Sequence, residues 1–349
     1  MANSIARLKT EDVKLDTIVP PKTNRSYSFD ILRLLACFTV VLCHTAGSPI
    51  IAGYVEPGAW DFNFCIILDA FTRWNIAAFV MLSGFFLIDP RKEMSLKSLF
   101  SKYILRVVGA LIIWSGIYAA TLHISIYPFG SQEGHFWYLP MIIGVYLSIP
   151  VLRLIALNKK ITEYFLIVWF FFLLWQFIGN FVTMPCLTYA TVFADFVGYA
   201  LFAYYLKSTF SHPINETKAH KFAVVIYVLG LLGLATTIIT GLITGGENHW
   251  WDFTAPNNIA TVTAAFVFAI RHPLNLTGKK AQFVETCAKC SFGVYLIHIW
   301  ILIQIFRRLH RIIPQTVPLV LICWIASVVG GLVITYLLRK IPGLKRFMV

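Results

Sequence analysis

Long apolar runs alternate with short polar intervals along this chain, and a hydrocarbon layer needs about 20 apolar residues per crossing helix. On that ruler the pattern predicts ten spans, over 29–47, 64–88, 103–126, 136–157, 161–182, 187–206, 222–244, 256–271, 291–306 and 317–338. The eighth and ninth are short. Residues 1–28 are polar, carry Arg7, Lys9, Lys14, Lys22 and Arg25, and lack the basic, apolar, small-residue succession of a cleavable leader. The expected fold class is therefore all-α: an N-terminal tail over 1–28, a polytopic transmembrane bundle over 29–338 and a C-terminal tail over 339–349. No Gly/Ser- or Pro-rich linker, low-complexity tract or repeat period divides the bundle. The loops leave no room for a soluble catalytic domain, so any chemistry must come from residues in or at the rim of the membrane.

Composition reinforces this picture. A chain of 349 residues with 58% hydrophobic and only 13% charged positions does not describe two soluble domains. The net charge of +13 would suit nucleic acid if it formed one stripe, but it falls in clusters between the apolar runs. Because Lys and Arg near span ends are retained on the cytoplasmic side, these clusters set the orientation. The tail, Arg91 to Arg106, Arg153 to Lys160, Lys207 to Lys221, Arg271 to Lys289 and Arg339 to Arg346 all fall on one side, with both termini cytoplasmic. The opposite loops, 48–62, 127–135, 183–186 and 245–255, contain no Lys or Arg, and Arg307, Arg308 and Arg311 alone break the pattern. Cys37, Cys43, Cys65, Cys186 and Cys323 lie in or beside apolar runs, which excludes a disulfide scaffold. Cys287 and Cys290 have CxxC spacing without a second ligand pair, which favours structural cysteines over a metal site.

Ionisable side chains inside hydrocarbon are costly and mark candidate function. Arg33 and His44 are eleven residues apart, about three helical turns or roughly 16 Å of rise, and share a face. The arrangement suits a cytoplasmic anion at one end and a base at the other. It also suits an Arg33 that snorkels and pairs with Asp30 while His44 ends the span near the headgroups. Asp69 and Arg73 form an i,i+4 pair that an internal ion pair explains. Ser83 and Gly84 read as a functional segment or as a helix-packing notch. The run His135-Phe136-Trp137-Tyr138-Leu139 has the position of an interfacial aromatic belt. Trp250 and Trp251, beside Glu247, His249 and Asp252, suit either sugar stacking or the same belt. Tyr295 and His298, at i,i+3, suit an interhelical hydrogen bond or a catalytic unit. No Gly-x-Ser-x-Gly elbow, P-loop, HExxH or Rossmann fingerprint is present.

Taken in order, five segments resemble the acyltransferase type 3 family of integral membrane acyltransferases, from about Ser28 to Arg339. They are Phe29-Asp30-Ile31-Leu32-Arg33 with His44; Arg73 leading into Phe79-Val80-Met81-Leu82-Ser83-Gly84-Phe85; Lys102-Tyr103-Ile104-Leu105-Arg106; His135 to Leu139 with Tyr146 to Arg153; and Ser291 to His298. Ala77-Ala78 departs from the pair usual before the Ser-Gly segment. No esterase-like domain follows the tenth span, so the chain resembles stand-alone O-acetyltransferases of bacterial surface glycans. The resemblance implies acetyl-coenzyme A as co-substrate, no metal, a glycan or glycolipid acceptor, a bacterial inner membrane, and room for a homo-oligomer. It makes His44 the general base and Arg33 a second catalytic residue. It makes Arg33, Lys102, Arg106 and Arg153 a clamp for the coenzyme A phosphates. It assigns Arg73, Ser83, His135, Trp137, Tyr138, Tyr295 and His298 to substrate binding. A transporter or exporter of a glycan or acidic metabolite is the competing expectation.

Overall fold

The computed structural model describes residues 26–122, 134–182, 195–211, 213–246 and 248–344. Most of the N-terminal tail, the last four residues of the expected third span, most of the 127–135 loop, the 183–186 loop with Cys186, the first eight residues of the expected sixth span, and Glu247 lie outside the described residues. Every regular element among the described residues is helical, and nine helical stretches are long and apolar enough to cross a membrane.

Helix α1 (Ser28–Ile51) runs through the centre, packed on neighbours from both halves of the chain. It carries Pro49 near its end and stops where Gly53 takes φ +68°, a left-handed conformation that costs glycine little. The expected second span is two helices, α2 (Trp60–Thr72) and α3 (Asn75–Leu87), interrupted at Arg73 and Trp74. Neither Gly nor Pro causes the break. Thr72 Oγ1 donates to the Asp69 carbonyl at 2.6 Å, and the Arg73 N–H turns to Ala70 at 3.4 Å, so a side chain has interrupted the i→i−4 ladder.

The third crossing starts as a short helix α4 (Leu96–Leu99), passes through a π segment (Phe100–Ile104) and continues as α5 (Leu105–Leu122). Then come α6 (Tyr138–Ile155), entered through a 3-10 turn at His135–Trp137, α7 (Lys159–Gly179), α8 (Val197–Phe210) and α9 (Glu216–Thr244). Helices α10 (Pro256–Arg271), α11 (Gly278–Leu309) and α12 (Thr316–Leu338) complete the bundle. The eighth expected span coincides with α10. The ninth does not: α11 begins 13 residues before the expected 291, because its first turns carry Lys279, Lys280, Glu285 and Lys289 and stand outside the apolar run.

Contacts sort the helix ends into two faces. On one, Ser28 Oγ donates to the His272 carbonyl, Lys207 and Arg91 share Asp89, Arg271 pairs with Glu216, and Arg339 donates to the Lys289 carbonyl. On the other, Tyr54 packs on Phe306 and His310, Thr316 donates to Asp61, and Phe177 meets Trp250. The clusters predicted to be cytoplasmic therefore converge on one face, and Arg307, Arg308 and Arg311 lie toward the other, at the far end of α11.

On the cation-bearing face Asp89 ties α3 to α8. Burial alone would raise its carboxyl, but the two-pronged Arg91 contact and the Lys207 charge outweigh that and hold it below the usual carboxylate range. A depressed carboxyl stabilises the fold above its unfolded pKa, and the contribution is lost only as pH falls through the lower folded value. The join between α3 and α8 has no slack further up. A Cβ on Gly84 would stand 2.0 Å from the Ala200 carbonyl oxygen, which is backbone and cannot swing away.

Two outcomes follow from this packing. Gly84→Ala is expected to destabilise the bundle by about 1–3 kcal/mol through overpacking, read as a lower unfolding temperature in detergent, whereas Gly116→Ala, with nothing within 4 Å, is expected to be neutral. In intact cells, Lys97→Cys is expected to resist an impermeant maleimide and Arg311→Cys to react, and the reverse result would invert the orientation.

Candidate active site

A cavity of about 950 Å³ reaches from the cation-bearing helix ends into the bundle between α1, α3, α5, α6 and α11. Its volume is near the top of the range of about 300–1,000 Å³ usual for small-molecule and cofactor sites. Five cations, Arg33, Lys102, Arg106, Lys289 and Arg339, line it, against one carboxylate, Asp30. Asp30 holds Arg33 at 3.8 Å, while Phe86 and Phe292 lie under the Arg33 and Arg106 guanidinium groups at 5.7 and 5.2 Å. The aromatic contacts hold the planar cations by their faces and leave their edges for hydrogen bonding. The π segment supplies Lys102 and Tyr103 to the same wall, a setting in which such bulges recur.

Deeper in, the lining turns apolar and aromatic: Ile76, Phe79, Leu82, Ile142, Tyr146 and, at the inner end, Tyr138 and Tyr295, whose rings stand 5.3 Å apart. Ser83 lines this stretch as well, its hydroxyl donating back to Phe79 at 3.1 Å.

Next to the cavity, on the side away from its mouth, three imidazoles cluster. Ring centres are separated by 5.2 Å for His44 and His298, 5.0 Å for His135 and His298, and 6.2 Å for His44 and His135. His298 is fully buried and His135 nearly so, whereas His44 is only half-buried. Tyr295 joins the two regions. It lines the cavity, its ring lies 5.6 Å from His135 and 6.0 Å from His298, and its hydroxyl donates to the His135 carbonyl. The interhelical hydrogen bond expected of this pair is made by Tyr295, whose hydroxyl goes to the His135 carbonyl, while His298 Nδ1 lies 2.7 Å from the Tyr295 main-chain carbonyl of its own helix. Nε2 of both His135 and His298 is buried without a hydrogen-bond partner.

The cavity thus gathers Arg33, Lys102, Arg106, Ser83, Tyr138 and Tyr295, and the imidazole cluster gathers His44, His135 and His298. Three sequence candidates stand apart. Arg153 is not in the cavity lining; its guanidinium donates to the carbonyls of Leu87 and Lys92 and fastens the end of α6 to the loop after α3. Arg73 bonds Asp69 at 2.6 Å and covers the Trp251 ring at 4.3 Å. Asp69 also accepts from Cys43 Sγ at 3.1 Å, which sets this pair one residue from His44. Trp137 packs on Phe196 and Phe253, outside the cavity lining.

Trp251 is buried, with its indole N–H on the Thr237 carbonyl, so it serves neither a lipid belt nor a sugar platform. Cys287 and Cys290 are buried free thiols, and among the described residues no three His, Cys, Asp or Glu side chains are arranged to hold a metal ion.

Lys289, Arg339, Tyr103 and Tyr146 were not assigned to the site from the sequence. Lys289 and Arg339 read there as orientation signals only. Tyr103 and Tyr146 fall inside segments that carried the resemblance, and that was the one available sign.

No curated protein and no solved structure matches the chain. A family model described as an acyltransferase domain matches residues 26–339, nearly the whole length and all of the helices that build the cavity and the imidazole cluster. The chain belongs to the acyltransferase type 3 family of membrane acyltransferases.

Proposed function

We propose that the protein is a membrane O-acetyltransferase that moves an acetyl group from acetyl-coenzyme A to a hydroxyl of a surface or lipid-linked glycan in a bacterial cytoplasmic membrane. The observation that carries this reading is the polarity of the cavity, with five cations at the mouth, an apolar aromatic shaft behind them, and histidines beyond its inner end. Coenzyme A has the complementary layout, with anionic phosphates at one end and a thioester at the other. Arg33, Lys102, Arg106, Lys289 and Arg339 would take the phosphates by charge-assisted hydrogen bonds. The shaft would hold the pantetheine arm and exclude water, with Ser83 and the tyrosines as its polar points.

In the proposed reaction the acceptor hydroxyl oxygen attacks the thioester carbonyl. A carbon–oxygen bond forms, the carbon–sulfur bond breaks, and the hydroxyl proton passes to His44. The leaving thiolate takes up the proton that His44 gives back, so the base is restored and the products are an acetyl ester and coenzyme A thiol. His44 suits the base role because it is the most exposed of the three imidazoles and neutral imidazole accepts a proton near working pH.

The helix break at Arg73 would also suit a transporter, since interrupted helices mark many transport sites. Consumption of labelled acetyl-coenzyme A by purified protein with a bacterial glycolipid acceptor, read by product mass, separates the two. An acetyl mass increment on the acceptor supports transfer, and movement of unmodified glycan supports transport.

Two variants test the site. His44→Ala is expected to remain folded and lose about 10²- to 10⁴-fold in transfer rate, the usual worth of a positioned general base; normal transfer would reject the role. Arg33→Ala is expected to weaken coenzyme A binding several-fold, whereas Lys159→Ala, whose side chain is 79% exposed and pairs with Glu163, is expected to leave it unchanged. Equal small effects in a binding titration would remove the cavity mouth as the donor site.

A further inference from the structure

A general base needs a second group to fix its ring and to determine which nitrogen faces the substrate. The nearest carboxylate to α1 at this level, Asp69, accepts from Cys43 and from Arg73. His298 offers what that carboxylate does not. A carbonyl oxygen only accepts, so the 2.7 Å contact with the Tyr295 carbonyl requires the proton of neutral His298 to sit on Nδ1. Nε2 then carries a lone pair, and that atom is buried with no partner. An N–H···N contact of about 3 Å plus two ring radii gives a centre-to-centre separation close to the 5.2 Å found between His298 and His44. Catalytic hydrogen bonds often close only in the substrate complex.

We propose that His298 is the positioning residue for His44. Its Nε2 accepts a hydrogen bond from His44 in the substrate complex and turns the other His44 nitrogen toward the acceptor hydroxyl. The proposal rests on the reading of His44 as base. The pairing supplies in neutral form the orienting acceptor that a carboxylate supplies elsewhere, and a neutral partner is the cheaper one to bury in a hydrocarbon layer. His135 is the competing donor to the same lone pair, 5.0 Å from the His298 ring, and its own Nε2 is also unpartnered.

Two substitutions of similar volume separate the halves of the His298 ring. In His298→Asn the amide stays at the level of Nδ1, so the Tyr295 contact can persist while the outer acceptor is lost. In His298→Gln the amide oxygen reaches the level of Nε2 and can accept. The measurement is steady-state transfer from acetyl-coenzyme A to a glycolipid acceptor by the full-length protein in detergent, with each variant checked by gel filtration and thermal unfolding.

The expected result is that His298→Asn lowers kcat by about 10²-fold, the lower end of a general base's contribution, with little change in KM for acetyl-coenzyme A. His298→Gln is expected to recover most of the rate, and His44→Ala with His298→Asn is expected to be no slower than His44→Ala alone, the non-additivity of residues that act as a unit. Equal loss in the Asn and Gln variants overturns the proposal, as does a double variant slower than His44→Ala by the full single-variant factor. Loss that tracks His135→Ala in the same cycle, and not His44→Ala, assigns the lone pair to His135 and overturns it too. An inactive His44→Ala with a normal His298→Asn sinks this inference alone, whereas a normal His44→Ala sinks the base reading and the inference with it.

Discussion

Inside a hydrocarbon layer a polar group without a protein partner costs several kcal/mol, and water is not there to replace it. That constraint organises the centre of this bundle. The second crossing breaks where Thr72 takes the Asp69 carbonyl. The Asp69 carboxylate in turn holds Arg73 on its own helix and Cys43 on α1. Arg73 lies over Trp251, whose indole N–H closes on α9, and Thr237 of α9 is bonded by Asn257 and Asn258 of α10. One chain of polar contacts therefore runs from α1 through α2 to α9 and α10, and it fixes the level at which His44 stands. The ion pair is costly to bury and gains little stability on its own. Its contribution is registry, because each member has its partner only when these helices sit at one relative height.

Against that background the unpartnered groups are informative. His135 and His298 are buried and each has an Nε2 atom without a hydrogen bond. Asn75, just after the helix break, likewise has a buried unbonded carbonyl oxygen. Other buried atoms without a hydrogen bond are scattered through the described residues, at Ser115, Tyr227, Ser327 and Thr335 among them, but the two imidazole nitrogens flank the half-buried His44. Unspent hydrogen-bonding capacity of this kind suits groups that acquire partners during a reaction.

The fold was largely legible in the sequence because the signal that specifies it is one-dimensional. Apolar length specifies a crossing and cation position specifies its direction, and both are read locally. What escaped depends on three-dimensional pairing. The break at Arg73 has no Gly or Pro to announce it, and the π segment around Lys102 leaves no mark in hydropathy. The early start of α11 was hidden by its charged first turns, with a functional consequence. With the helix begun at 291, His298 falls near the cytoplasmic rim, away from His44. With the helix begun at Gly278, His298 is twenty residues along, roughly 30 Å of rise, at the level of His44. Arg153 poses the converse ambiguity. A cation at a cytoplasmic span end is equally a ligand clamp or a loop fastener, and only the carbonyls of Leu87 and Lys92 distinguish the two.

The same geometry explains why the cations and the histidines need to be kept apart. Five cations in one small basin raise the local positive potential, which favours phosphate binding but disfavours protonation of any nearby imidazole. A base beside the mouth would be poorly placed to gain a proton, and phosphates bound there would then reverse the bias. Along α1, eleven residues and about 16 Å of helix separate Arg33 from His44, with the Tyr138 and Tyr295 rings at the inner end of the cavity between them. At that separation the field of the basin is weakened, so under the proposed reaction an anionic donor bound there would perturb His44 little. Tyr295 then serves both regions through different atoms: its ring lines the donor shaft, its hydroxyl anchors the turn that carries His135, and its carbonyl determines which nitrogen of His298 holds the proton. A substitution that removes the ring and hydroxyl but keeps the helix would leave the carbonyl in place, so the orientation of His298 is set by the α11 backbone and not by the side chain that faces the donor.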